Sequence, residues 1–312
     1  MATYIIRKIL YSFIVLIGVA TVTFFINFVL PGDPARLMLG QRADAASIAS
    51  IRQQMGLDRP VFEQYTKFLV RTAQGDLGRS YATNRDVLET IVDRFGATAL
   101  LAGSAMLIST LLGIILGVIA ALKPNSWLDT SLMGTALLGI SLPSFVVALM
   151  FALIFGVVLD WFPIAGYIEQ SDGYRWEYLV LPMVTLAIRP LSIIARVTRS
   201  SMMDVLGQDY IRTAKAKGLP ASKVLTKHAL RNALNPVITT VSAWFAALLS
   251  GTFFIEFIFN WPGIGTVAIN AIEKLDYPMI QGTVLFTAII FVIVNVLVDI
   301  LYTFLDPRVK LA

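Results

Sequence analysis

The sequence contains no cysteine and only one histidine, His228. The chain therefore has no disulfide, no thiolate nucleophile and no zinc-thiolate site, and a single imidazole cannot form a histidine cluster for a metal ion. Charged residues are scarce as well, at 14% of the 312 residues, whereas a soluble domain has about 25%. Hydrophobic residues make up 57%. These features exclude an ordinary soluble protein and predict an integral membrane protein that binds no metal.

Motifs for catalysis are also missing. The apolar segments hold no pairing of serine with histidine, no pair of aspartates and no HExxH sequence, so intramembrane proteolysis is not expected. No GxxxxGK[ST] phosphate loop occurs, so nucleotide hydrolysis by that route is not expected either. We therefore predict no catalytic residue and no cofactor in this chain, and the energy for any active transport must come from another polypeptide.

Six apolar segments are long enough for a transmembrane helix, which needs about 20 residues. They are residues 9–30, 97–122, 132–159, 178–197, 236–259 and 279–305. The first is longer than the hydrophobic region of a signal peptide, which has about 7 to 15 residues, so we interpret it as a retained anchor. We predict an all-α integral membrane protein with six transmembrane helices.

Lysine and arginine are distributed unequally between the two sets of short loops. The richer side holds Arg7, Lys8, Lys123, Arg196, Arg199, the basic residues between 212 and 231, Arg308 and Lys310, and the other side holds only Arg175 and Lys274. Basic residues favour the cytoplasmic side of a membrane protein, so both termini are predicted to be cytoplasmic. The net charge of +5 is explained by this bias rather than by nucleic-acid binding.

The long exterior loop, residues 31–96, has apolar residues at helical spacing in three places, which predicts an ordered helical insertion. These places are Ile48, Ile51 and Met55, then Val61, Phe62, Tyr65, Phe68 and Leu69, and finally Val87, Leu88, Ile91, Val92 and Phe95. The insertion is either a lid on the spans or a docking surface for an exterior partner. We divide the chain into a first transmembrane helix (1–30), the insertion (31–96) and a core of five transmembrane helices (97–312).

Small residues recur at every fourth position of two spans. They are Ala105, Ser109, Gly113, Gly117 and Ala121 in the second span, and Ala243, Ala247 and Gly251 in the fifth. Such stripes allow two helices to approach closely in lipid. The partner helix belongs either to the same subunit or to a second membrane subunit.

Polar and helix-breaking residues inside the spans are candidates for a translocation path. Arg189 lies near the middle of the fourth span, where a cation facing lipid costs at least about 2.5 to 3.5 kcal/mol, so it is expected to face a partner group or a wet cavity. Pro143 and Pro190 each remove a backbone donor and predict kinks. The candidates are Pro143, Ser144, Arg189, Glu256, Asn295 and Asp299. Glu256 and Asp299 lie near span ends, where hydration is easier, and structural pairing is the alternative for each.

The stretch DYIRTAKAKGLP, residues 209–220, predicts a short amphipathic helix on the cytoplasmic side. Asp209 is the expected N-cap, Gly218 the left-handed terminus, and Pro220 prevents continuation. Tyr210, Ile211 and Ala214 share one face, and Arg212, Lys215 and Lys217 lie mostly on another. The chain is expected to resume helix at Ser222, and Asn235-Pro236 is expected to open the fifth span. A short, capped helix of this kind suits a groove on a partner protein.

The segment YIRTAKAKGLPASKVLTKHALRNALNPV resembles the cytoplasmic signature of binding-protein-dependent ABC transporter permeases, in particular the dipeptide, oligopeptide and nickel group. The similarity continues in order along essentially the whole chain, through PGDPARL, GLDRPVFEQYTKFL, QGDLGRSY, GISLPSF, TRSSMMDVLGQDY, FNWPGIG and DYPMIQG to NVLVDILYTFLDPRVK. The wider superfamily begins this helix with Glu-Ala-Ala, and Arg212, Thr213 and Ala214 stand there in this chain. Asn235 also departs from the leucine or isoleucine that the family more often places before Pro236.

The resemblance implies a type I importer fold and a complex of several chains. It implies a second homologous permease, two ABC ATPase subunits that carry ATP and magnesium, and an extracytoplasmic solute-binding protein. The coupling segment, about residues 204–235, would dock on an ATPase subunit through Tyr210, Ile211, Arg212, Thr213, Ala214, Lys215, Lys217 and Gly218. Peptides or peptide-like solutes are the expected cargo, with nickel or a nickel chelate as the alternative. An ion-coupled secondary transporter or a channel is the alternative function.

Overall fold

The computed structural model describes residues 2–29, 35–36, 44–170, 173–250 and 252–305. The predicted motif PGDPARL is largely outside this part of the chain, as are Gly251 and the side chain of Asp299. The described residues are almost entirely helical. The helices are α1 (Ala2–Val29), α2 (Ala45–Met55), α3 (Val61–Ala73), α4 (Val87–Leu122), α5 (Trp127–Ser141), α6 (Ser144–Phe151), α7 (Glu177–Leu206), α8 (Asp209–Ala216), α9 (Ala221–Ser250), α10 (Phe253–Ile258), α11 (Ile264–Glu273) and α12 (Tyr277–Leu305). A two-residue hairpin, β1 (Glu169–Gln170) with β2 (Gly173–Tyr174), precedes α7.

Four of the described helices are each long and apolar enough to cross a membrane, namely α4, α7, α9 and the segment Tyr277–Val298 of α12. A fifth candidate is the bent pair formed by α5 and Ser144–Val158, which is α6 with the wider π-type turns that follow it. The first helix, α1, has 28 residues, but its described apolar run, Leu10–Ile26, is shorter than the others. Four or five spans are therefore found, and six remains a prediction.

The third predicted span is not one continuous helix. It breaks between Ser141 and Ser144, and its two halves differ in direction by 104°. Leu142 is extended, with φ −79° and ψ 132°, because the ring of Pro143 disfavours a helical conformation in the residue before it. Pro143 therefore turns the chain rather than merely kinking it. Pro190, by contrast, lies inside α7, which continues through it to Leu206.

The exterior stretch contains the predicted helices α2 and α3, but its third apolar segment is not a separate element. Residues from Val87 onward are the first turns of α4, whose 36 residues extend about 54 Å at 1.5 Å per residue. Tyr65 of α3 lies against α1, with its hydroxyl 2.7 Å from Thr21 Oγ1 and its ring 5.3 Å from that of Phe24. Part of the insertion therefore packs on α1, the predicted first transmembrane helix, as expected for a lid.

The described residues group into two compact units. Residues up to 98 with 262–296 form one, and residues 99–261 with the end of α12 form the other. Asp276 organises the first unit, because its buried carboxylate accepts hydrogen bonds from Ser80 Oγ at 2.5 Å and Tyr81 N at 3.0 Å. Burial and the neighbouring Asp276 raise the pKa of the Tyr81 phenol to about 12. These bonds attach the exterior loop to the start of α12.

In the second unit, the small-residue stripe of α4 packs directly on α7. Ser109 Oγ donates a hydrogen bond to the Ala187 carbonyl at 2.9 Å. A Cβ at Gly117 would lie 2.5 Å from the Ala195 carbonyl oxygen, closer than atoms can approach. This stripe therefore serves packing within the subunit. The second stripe differs, since Ala243 and Ala247 of α9 are exposed.

Candidate functional site

The predicted cytoplasmic helix is present as α8. It begins at Asp209, so the N-cap position belongs to Gln208 and not, as predicted, to Asp209. Its end is as predicted, because Gly218 has φ +76°, a left-handed conformation that glycine adopts without strain. Gly218 N donates to the Lys215 carbonyl at 3.0 Å and Leu219 N to the Ala214 carbonyl at 3.4 Å. This pair of bonds is a Schellman motif, which fixes where the helix stops.

One face of α8 is buried in the chain's own core. Ile211 and Ala214 are 0% and 7% exposed. They join a cluster contributed by α4, α7 and α9, consisting of Ala121, Met202, Val224, Ala229 and Ala233. Both residues are among those predicted for ATPase coupling, and their burial shows that within this chain they fix the position of α8.

Tyr210 was predicted to share this apolar face, and that assignment is wrong. Its side chain is 42% exposed, and its hydroxyl accepts a hydrogen bond from Asn232 Nδ2 at 2.9 Å. Adjacent helical residues differ by about 100°, so Ile211 faces the core while Tyr210 lies at the edge of the contact. The bond to Asn232 fastens this edge of α8 to α9.

The opposite face of α8 is exposed and mostly cationic. Arg212 has 76% of its side chain exposed, and its Nη1 lies 3.4 Å from Asp209 Oδ1. Thr213, Lys215 and Lys217 are exposed as well. The helix is thus fixed on one side and available to another molecule on the other. We call the exposed residues Tyr210, Arg212, Thr213, Lys215 and Lys217 the coupling surface.

The segment after α8 differs from its prediction. Helix α9 begins at Ala221, after Pro220, rather than at Ser222. It passes through wider π-type turns at Val224–Leu230 and then continues without interruption past Pro236. Asn235 and Pro236 therefore lie within this helix and do not open a span. The candidate span in α9 is therefore continuous with the segment that packs on α8.

A buried ion pair near the same end of the membrane core was not predicted. Arg199 of α7 donates from Nε to Asp129 Oδ1 at 2.5 Å and from Nη2 to Oδ2 at 2.7 Å. Asn125 N donates to the same carboxylate at 2.8 Å, and the Asp129 side chain is only 3% exposed. The pair ties the first turn of α5 to α7. The spacing of Ser126 and Asp129 signals a helix start, but a partner 70 residues away leaves no local pattern.

Arg189 has no ion-pair partner among the described residues, and its side chain is exposed. Its guanidinium carbon lies 5.8 Å from the centroid of the Trp244 ring, so the cation is held against an aromatic face of α9. About 18 Å of helix separates Arg189 from the start of α7. Among the described residues, the Trp244 ring is the group found against this cation, and the wet cavity stays a prediction.

The remaining path candidates lie in different elements of the chain. Pro143 is exposed at the break between α5 and α6, and Ser144 begins α6. The ring of Phe145, next to Ser144, lies 6.4 Å from that of Phe254 in α10. Glu256 of α10 is 0% exposed and accepts a short hydrogen bond from Thr252 Oγ1, so within this chain it is paired with a neighbouring side chain rather than exposed to water.

Asn295 lies in the other unit. Its Nδ2 donates to the Phe291 carbonyl of its own helix at 2.8 Å. The location of Asp299 in α12 agrees with the prediction of a span, but its side chain lies outside the described residues.

These features define an α-helical membrane protein with several candidate spans, an exposed arginine inside one of them and a short helix seated against three others. Residues 113–311 match the family described as binding-protein-dependent transport system inner membrane component, and residues 1–102 match its N-terminal family. The chain therefore belongs to the binding-protein-dependent ABC transporter permeases of the dipeptide and oligopeptide group. It is an inner-membrane component of a transport system.

Similar proteins cover this chain almost from end to end. A putative peptide transport system permease protein of Brucella abortus is 43% identical over 312 residues, covering 99% of each chain. The glutathione transport system permease protein of Salmonella paratyphi A is 40% identical over 310 residues, again 99% of each chain. The protein of that name in Escherichia coli is 39% identical over 310 residues, with the same coverage.

Proposed function

We propose that this chain is one of two permease subunits of an ATP-driven importer for short peptides or peptide-like solutes such as glutathione. Peptide and glutathione permeases that align over the whole chain support this class of cargo. In the proposed complex an exterior binding protein delivers the solute. Two ATPase subunits, which carry the ATP and magnesium, bind at the cytoplasmic side of the membrane. Both termini of this chain lie on the same side. This chain itself performs no catalysis.

The observation that carries the proposal is the two-sided character of α8. Its buried residues, Ile211 and Ala214, attach it to α4, α7 and α9, and the coupling surface is left for a partner. Three cations on that surface suit a partner groove with acidic residues, because complementary charges direct encounter and fix the register of an interface. We assign the coupling surface to ATPase contact, and Ile211, Ala214 and Gly218 to holding the helix in place.

Arg189 and Trp244 belong to the same proposal as part of the lining between the two permeases. A desolvated cation in hydrocarbon is costly, and a wet path between subunits removes that cost. The exposed small residues Ala243 and Ala247 lie on α9 with Trp244 and leave room for a neighbouring helix or for solute. Pro143, Ser144, Asn295 and Asp299 remain weaker candidates for the path.

The proposal is tested by charge reversal in the assembled transporter. Lys215→Glu and Lys217→Glu are compared with Lys123→Glu, which reverses an exposed lysine outside α8 on the same predicted side. Copurification of the ATPase and solute-stimulated ATP hydrolysis are measured, and each is expected to fall about tenfold or more in the α8 variants, since like charges at an interface repel. Unchanged association and hydrolysis in both α8 variants would refute the coupling assignment.

Uptake separates the proposed mechanism from the alternatives. Proteoliposomes with the complete complex are expected to accumulate peptide only with ATP enclosed inside the vesicles and the binding protein outside. Accumulation by this chain alone, driven by an ion gradient, would identify a secondary transporter instead.

A further inference from the structure

A cavity of about 360 Å³ lies between α1 and α12. Its lining from α1 consists of Arg7, Lys8, Tyr11, Ser12 and Val15, and its lining from α12 consists of Phe291, Val292 and Asn295. All eight residues belong to one compact unit. The volume falls within the range of about 300 to 1,000 Å³ that small-molecule pockets occupy.

The two helices run antiparallel, and this fixes the level of the cavity. Gln281 Nε2 of α12 donates to the Thr23 carbonyl of α1 at 3.2 Å. The cavity lies where residues 7–15 of α1 meet residues 291–295 of α12, so it lies toward the N-terminal end of α1. Between Ser12 and Thr23, α1 rises about 16 Å at 1.5 Å per residue. The cavity is therefore near one membrane surface, predicted to be the cytoplasmic one.

The polarity of the lining changes along both helices in the same direction. On α1, the cations of Arg7 and Lys8 are followed by the hydroxyls of Tyr11 and Ser12 and then by Val15. On α12, the amide of Asn295 lies nearest that end, and Phe291 and Val292 lie about one turn deeper. The cavity is therefore cationic and hydrogen-bonding at the membrane surface and apolar toward the membrane interior.

We propose that this cavity binds an anionic phospholipid, with its phosphate at the cationic end and the first part of one acyl chain along the apolar end. The guanidinium of Arg7 presents paired N–H donors that match phosphate geometry, and Lys8 adds a second positive charge. The acyl chain would contact Val15, Phe291 and Val292, of which Val15 and Phe291 are exposed in the chain by itself. Basic clefts between membrane helices near the cytoplasmic surface are suited to anionic headgroups. The proposal does not depend on which solute is transported.

The test uses the purified transporter complex, stripped of lipid and then offered phosphatidylglycerol, phosphatidylcholine or inorganic phosphate separately. Bound molecules are counted by native mass spectrometry. The complex is expected to retain phosphatidylglycerol over phosphatidylcholine, and Arg7→Gln/Lys8→Gln is expected to weaken this retention by a factor of about 5 to 30, since each cation near the surface contributes on the order of 1 kcal/mol.

Two further variants separate this site from general charge effects and from a free-anion site. Lys123→Gln/Lys223→Gln removes two exposed cations elsewhere on the same predicted side and is expected to leave retention unchanged. Val292→Trp keeps both cations but fills the apolar end, so it is expected to lower retention of phosphatidylglycerol.

Three results would overturn the proposal. One is an equal loss of bound lipid in Arg7→Gln/Lys8→Gln and in the control Lys123→Gln/Lys223→Gln. Another is retention of inorganic phosphate as strong as that of phosphatidylglycerol, with Val292→Trp without effect, because this identifies an anion site. The third is release of another subunit from Arg7→Gln/Lys8→Gln with lipid still bound, because this identifies the cleft as a subunit interface.

Discussion

Removing the carboxylate of Asp129 is predicted to destabilise the protein strongly. In Asp129→Asn, Arg199 loses a bidentate ion pair but retains its charge in a site where only 24% of its side chain is exposed. Breaking a buried pair from one side costs about 3 to 5 kcal/mol, because the remaining charge stays desolvated without a partner. The partial exposure of Arg199 places the expected loss near the lower end, at about 3 kcal/mol.

The matched control is a pair with similar distance but high exposure. Arg175 Nε lies 2.8 Å from Glu177 Oε1, and the two side chains are 48% and 38% exposed. Glu177→Gln is expected to leave the free energy of unfolding nearly unchanged, because an exposed ion pair contributes little to stability. The double variant Asp129→Leu/Arg199→Met removes both buried charges and is expected to recover most of the loss.

The free energy of unfolding is measured for each variant by titrating the purified protein from mild detergent into dodecyl sulfate and following tryptophan fluorescence. A cost below about 1 kcal/mol for Asp129→Asn would contradict the interpretation that the buried pair anchors α5 to α7. So would a double variant that loses as much as Asp129→Leu and Arg199→Met combined, each measured singly, because the coupling between the residues would then be zero.

Two further predictions concern packing and pH. Gly117→Ala is expected to destabilise the protein by about 1 to 3 kcal/mol, because its Cβ would overlap the Ala195 carbonyl. Gly103→Ala in the same helix meets no atom within 4 Å and is expected to be neutral or slightly stabilising. The unfolding titration described above distinguishes the two variants. In the folded protein, the pKa of Tyr81 lies above its ordinary value of 10. The stability that the neutral, buried phenol contributes is therefore fully present below about pH 10 and is lost as pH rises through about 12. Proteolysis of the exterior loop at pH 9 and pH 11.5 is therefore expected to increase more with pH in the parent protein than in Tyr81→Phe, and equal increases would contradict this assignment.

The membrane class and most helices follow from the sequence because hydropathy and helix punctuation are local properties. Gly218 is an example, since a glycine followed by Pro220 identifies the end of α8 without tertiary information. The direction of a helix is not local in this sense. Apolar composition continues across Pro143, so the third span was predicted as one helix although its halves diverge by 104°. The opposite error occurred at Pro236, where the start of a helix was predicted although the residue lies inside α9. Proline is common in the first turn of a helix, so the sequence pattern alone does not distinguish the two positions.

Side-chain environments were harder to predict than helices. Tyr210 and Ile211 are neighbours in the chain, but Ile211 is buried, whereas Tyr210 lies at the edge of the contact and accepts a hydrogen bond from Asn232. Glu256 lies near the end of a predicted span, where hydration is easier, yet it is buried beside Thr252. The Asp129–Arg199 pair joins residues far apart in the chain and is invisible to any sequence window. These features depend on how helices pack, which a single sequence does not encode in a readable pattern.

The seating of α8 determines how a displacement would spread through the second unit. The cluster around Ile211 and Ala214 takes residues from α4, α7 and α9, and protein interiors are too closely packed for one member to move alone. A force on the coupling surface is therefore shared among three membrane helices at once. One of them, α7, is joined to α5 by the Asp129–Arg199 pair, and it carries Arg189 against Trp244 of α9. A shift of α8 would consequently move the contact between Arg189 and Trp244 together with the rest of this packed body. Movement as one body is what a switch between two discrete arrangements requires, whereas local bending would leave that contact unchanged.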